Sequence, residues 1–176
     1  RELEELLKRN ERTLRELAKR VKRLLEENKE TVRRIEERLR RVLTEVEKIS
    51  RDIRDRVDSE DLRRLLEELD KRSKEVVEEI EELLRRSLKR LKEVLDEIRK
   101  LVKESLEEIR RAAKDVDEEV RERVKKVEDE NRKLLERAER EIKKVAEENR
   151  RLMEKMKDDV RKANKRNKEL LERRTK

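Results

Sequence analysis

"NRKLLERAEREIKKVAEEN", residues 131–149, begins and ends on asparagine, and Asn167 follows after the same interval of eighteen residues. Between the two amides lie Leu134, Leu135, Ala138, Ile142 and Val145, apolar residues recurring every three or four positions. That spacing lines one face of an α-helix. The asparagines fall on the same face. A polar group set at a constant interval inside an apolar stripe calls for an explanation, and the interval itself is the first clue.

Read in blocks of eighteen, the whole chain repeats. Residues 3–20, 21–38 and 39–56 form one series, 62–79, 80–97 and 98–115 a second, and 127–144 with 145–162 a third. Leu3, Val21, Leu39 and Val57 share one phase, as do Leu62, Ile80, Ile98 and Val116, and likewise Val124, Ile142 and Val160. Eighteen residues make five turns of an α-helix, so the apolar face returns without drift. A heptad would impose a left-handed supercoil and an eleven-residue pattern a right-handed one. The eighteen-residue pattern instead predicts straight helices with little or no supercoil. Doublets such as Leu6 with Leu7 and Leu24 with Leu25 widen the stripe beyond a two-helix seam, which suits a helix with two neighbours.

Composition supports an all-helical chain. Gly, Pro, Cys, His, Phe, Trp, Tyr and Gln are absent, where average usage predicts roughly a dozen Gly and nine Pro. Most of the residues that remain favour helices. Charged residues reach 60% and apolar ones only 31%, a balance that suggests disorder when apolar residues are scattered. Here they are periodic.

Two breaks divide the chain. In "VDSEDL" (57–62) Asp58 or Ser59 is a cap candidate, acids fill the following turn, and Val57 can staple onto Leu62. In "KDVDEEV" (114–120) Asp115 or Asp117 is the cap candidate, with Glu118 and Glu119 in the first turn. The apolar stripe Ala113, Val116, Val120, Val124 runs through this second break, so one uninterrupted helix over 62–176 is the alternative. The expectation is a single domain, residues 1–176, forming an antiparallel up-down-up three-helix bundle. Helix 1 spans about 2–57, helix 2 about 60–115 and helix 3 about 118–175.

In such a bundle residue i of helix 1 lies level with about 117 − i in helix 2 and about i + 116 in helix 3, from the turn positions and 1.5 Å per residue. Asn131 then falls within a turn of Thr13, which faces Ser105, with Asn10 nearby. Asn149 falls near Thr31, which faces Ser87, with Asn28 nearby. A looser third grouping holds Ser50 and Asn167, with Thr44 and Ser73 close by. Asn amides and Ser or Thr hydroxyls donate and accept, so a mixed layer can satisfy itself in the core. Buried layers of this kind lower stability against an apolar core but penalise slipped registers, where the amides are buried unpaired. The competing reading is that these residues sit solvated at the stripe's edge.

Catalytic chemistry has little to draw on. Without His or Cys the usual imidazole base, thiolate nucleophile and soft metal ligands are missing. Carboxylates such as Glu26 and Glu30 lie among Lys and Arg and read as ion-pair partners. A glycine-free chain has no phosphate loop, and without aromatics a nucleic acid would be held by charge alone. Met153 and Met156 lie on the stripe and read as core filler. No apolar run approaches the ~18 residues of a membrane span. Net charge is +8, and residues 161–176 carry eight cations against two carboxylates. Cations there complement a helix C-terminus; an electrostatic polyanion-binding module is the alternative.

The eighteen-residue repeats, the acid-capped turns "DSED" and "DVDEE", the Glu/Lys/Arg surface and the repeat-related polar positions resemble computationally designed, parametrically generated bundles. The resemblance is to untwisted antiparallel three-helix bundles and covers the whole chain. It implies a structural scaffold of high thermal stability, with no catalytic residues, no cofactor, no metal and no natural biochemical function. It implies a soluble monomer made by recombinant expression, needing no partner, membrane or specific nucleic acid. An oligomeric coiled-coil component is the alternative assembly.

Overall fold

The computed structural model describes residues 2–55 and 59–175, and the side chains of 59, 174 and 175 lie outside that description. Among the described residues there are three helices and no strand: α1 (Glu2–Asp55), α2 (Ser59–Ala112) and α3 (Glu118–Thr175). The expected staple at Val57 and the cap at Asp58 or Ser59 lie outside the described residues and side chains.

The second connection is described in full. The amide of Ala113 still donates to Ile109 O at 3.0 Å, and the chain then leaves the helix. α2 therefore ends three residues short of the expected 115. Asp117, not Asp115, caps the next helix: its Oδ1 accepts from the Val120 amide at 3.1 Å, and its carbonyl accepts from Arg121 N at 3.1 Å. The side-chain bond satisfies one of the donors a helix start leaves orphaned, and Glu118 and Glu119 complement the dipole. No described residue has positive φ, so the turn needs no glycine. Ala112, Ala113, Val116 and Val120 stay apolar through the break because they pack against the end of the core around Leu3, Leu7, Ile109 and Val124. Residues 62–176 thus do not form one helix.

Contacts divide the chain into two compact units, Arg1–Asn28 with Ser87–Ala146, and Lys29–Arg86 with Glu147–Lys176. In the first unit Asn10 meets Ser105 and Arg20 meets Glu97. Numbers fall along α2 as they rise along α1, so the two helices are antiparallel there. Glu4 meets Arg123 and Asn10 meets Asn131, rising together, so α1 and α3 run the same way. The second unit repeats the pattern, with Arg38 on Glu79 and Glu45 on Arg72 between α1 and α2. There α2 and α3 pair Glu81 with Lys157 and Ser73 with Asn164.

Among the described residues each unit has two apolar clusters. In the first, Leu17, Val21, Leu91, Ile98, Ala138 and Ile142 form the larger, and Leu3, Leu7, Ile109 and Val124 the smaller. In the second, Ile35, Ile80, Leu84 and Met156 form one cluster and Ile53, Leu62, Leu66 and Leu171 the other. A fully buried aliphatic side chain contributes about 1.5–3 kcal/mol against exposure. Exposed ion pairs across helices, such as Arg99–Glu139 at 3.1 Å, add about 0.2–1 kcal/mol each at most. The apolar clusters therefore dominate.

Candidate functional site in the buried polar levels

The candidate site is the set of amides and hydroxyls between the apolar clusters. Asn10, Asn28, Asn131, Asn149, Asn164, Asn167 and Ser73 are all buried. The eighteen-residue repeat explains most of them. Asn131, Asn149 and Asn167 are one series on α3; Asn10 and Asn28 continue to Val46 on α1; Ser105 and Ser87 continue to Leu69 on α2.

The first unit holds a closed level. Asn10 donates through Nδ2 to Ser105 Oγ at 2.6 Å and to Asn131 Oδ1 at 2.9 Å. Asn131 donates back to Asn10 Oδ1 at 2.8 Å and to the carbonyl of Val127 at 2.6 Å. Both amide hydrogens of each asparagine are thus used, and three helices are tied by side chains alone. Thr13, the residue the height estimate set nearest Asn131, is half-buried and takes no part in these bonds. The reason is axial offset. The Asn10–Asn131 pair gives 121 residues between α1 and α3 positions, against the 116 expected, so Asn131 meets the residue one turn earlier. Asn10 also shares the buried phase with Leu3, Leu7 and Leu17, which Thr13 does not.

At the next repeat Ser87 donates to Asn28 Oδ1 at 2.8 Å, again inside the first unit. Asn149 is buried and Thr31 half-buried; both belong to the second unit, and neither is without a partner.

The second unit is built differently. Asn167 is fully buried and donates to the carbonyl of Val46 at 3.1 Å, while its Oδ1 accepts from Ser50. Ser50 also lies 3.3 Å from the Val46 carbonyl. Beside them Asn164 donates to Ser73 Oγ at 2.9 Å, and Ser73 donates to Asp70 O at 2.9 Å. Thr44, grouped with this level by sequence, is exposed and bonds its own helix at Arg40 O, 2.8 Å away. Ser73 is in the core but pairs with Asn164 rather than Asn167. Asn164 escaped the sequence reading because its repeat-mate is Ala146, so no periodic series points to it. The available signal was its place in the stripe, four residues after Val160 and three before Asn167.

The remaining candidates have ordinary surroundings. Glu26 and Glu30 are exposed, and Glu30 faces Arg33 at 3.5 Å and Arg34 at 3.9 Å. A hydrogen bond from Arg150 holds Glu147 below the usual carboxylate range, and bonds from Lys162 and Arg161 do the same for Asp158. Such groups stay ionised, the opposite of a carboxyl tuned for proton transfer. Met156 is fully buried beside Ile35 and Ile80, with Met153 packed at the margin. Among the described residues no group of three or more acidic residues is placed to hold a metal ion, and no helix is long and apolar enough to cross a membrane.

No protein-family model matches the sequence, and no curated protein matches it either. A solved structure does: a "Computationally designed three helix bundle", 19% identical, with a TM-score of 0.53 over 97% of this chain and 89% of that one. The chain has the fold of a three-helix bundle, shared with a designed protein and reached through a largely different sequence.

Proposed function

We propose that the chain is a designed structural scaffold without enzymatic activity, and that its Asn/Ser levels specify helix register. The observation that carries this is the closed Asn10–Ser105–Asn131 set, buried and contributed by all three helices. A slide of α3 by one turn brings Asn131 against Leu7 or Leu14 and leaves a carbonyl and an N–H of each amide unpaired in apolar surroundings. An apolar stripe alone discriminates weakly between registers because each turn resembles the next. The similar designed bundle and the glycine-free, eighteen-residue repeats support the scaffold reading. On this reading residues 1–176 are one cooperative, monomeric domain of straight helices.

The test is the combined variant Asn10→Leu, Ser105→Ala, Asn131→Leu. Expected is equal or higher resistance to denaturant, with more than one set of backbone amide resonances as alternative registers appear. A single sharp set of resonances at unchanged stability would remove the register role. In calorimetry the parent chain should melt in one transition above ~90 °C, the hyperstable range; two separate transitions would refute the single cooperative domain.

A further inference from the structure

On the second unit α2 and α3 leave a groove of 510 Å³ whose lining includes Val77, Val160 and Asn164, together with Lys74, Lys165 and Lys168. In all, five cations and two carboxylates line it. The repeat explains why it exists. One eighteen-residue step away, in the first unit, the corresponding positions hold Leu91, Leu95, Ile142 and Ala146; here they are Ser73, Val77, Val160 and Asn164. Three larger apolar side chains are replaced by smaller ones, and only Asn164, in place of Ala146, is larger. The volume falls within the ~300–1,000 Å³ usual for small-molecule sites.

The chemistry of the walls is asymmetric. Valines and lysine stems supply an apolar floor. Asn164 is only 7% exposed and uses one amide hydrogen on Ser73; its second hydrogen and its carbonyl oxygen have no partner among the described residues. Asp70 is held by Lys74 at 3.0 Å and Lys168 at 3.9 Å. Lys165 makes no ion pair among the described residues. We propose that this groove is a binding site for a small amphiphilic monoanion, its apolar body on Val77 and Val160 and its anionic head between Lys165 and the free Asn164 N–H.

The probe is anilinonaphthalene sulfonate, titrated into the full chain by fluorescence and calorimetry. Expected is saturable binding of one probe per chain that weakens as salt is added. The variant Val77→Leu, Val160→Ile takes the residues found at the repeat-mates, which the first unit accommodates, and should weaken binding about tenfold with helicity kept. Lys165→Glu, on an exposed position, should weaken it about threefold and carries the test should the filled variant not fold. No saturable binding, or unchanged affinity in folded variants, overturns the site. A signal that grows in mild denaturant does so too, because it reports partly unfolded chain.

Discussion

In the first unit Asn10 and Asn131 exchange hydrogen bonds and Asn10 adds one to Ser105, with a single bond from Asn131 going to the Val127 carbonyl; in the second, Asn167 bonds only a backbone carbonyl and one hydroxyl. The difference begins in the repeats. At the first level all three series are polar, whereas at Asn167 the α1 and α2 series have become Val46 and Leu69. An amide without polar repeat-mates is satisfied by whatever lies near, here Val46 O and Ser50 from outside the series. The reciprocal pair depends on both amides, because removing either orphans a carbonyl and an N–H of the other. The local arrangement does not: Val46 O keeps its helical partner, and Ser50 can turn to the same carbonyl 3.3 Å away. Equal burial of an asparagine therefore does not mean equal consequence.

One substitution made in both places separates the two cases most sharply. Asn131→Val leaves Asn10 buried with a carbonyl and an N–H unpaired, and should cost about 1–3 kcal/mol in denaturant unfolding. Adding Asn10→Val should recover much of that loss, a coupling a double-mutant cycle reads directly. A stabilising Asn131→Val would mean that the level is not closed in solution.

Asn164→Ala comes next. It removes one hydrogen bond but leaves Ser73 bonded to Asp70 O, so a loss of about 1 kcal/mol is expected. A loss equal to that of Asn131→Val would erase the contrast between the units. Asn167→Val orphans nothing and gains apolar contact, so the change should stay below about 1 kcal/mol. If hydrogen exchange showed α3 opening around residue 167 in this variant alone, the local bonds would matter more than the geometry implies.

The smallest effect concerns the surface of the second unit. Asp158 is held below its ordinary pKa by Lys162 and Arg161. A lowered folded value stabilises above the unfolded pKa, and that contribution disappears as pH falls through the folded value. Asp158→Asn should therefore lower the melting temperature slightly at neutral pH and not at all in strong acid. A difference that widened on acidification would reverse the sign.

The helices, their number and the polar phase of each were legible in the chain because periodicity and capping are local. Leu134 through Val145 repeat at helical spacing whatever they pack against, and Asp117 can cap only the helix that follows it. The second break was readable from its acids even though the stripe of Ala113, Val116, Val120 and Val124 runs straight through it. Which polar residues meet was decided only by the tertiary structure. Asn131 finds Asn10 rather than Thr13 because partnership depends on the axial offset between helices, which no repeat encodes. Asn164 and Ser73 find each other outside any series for the same reason: a buried polar group takes the nearest partner in space, and proximity between helices is a property of their packing.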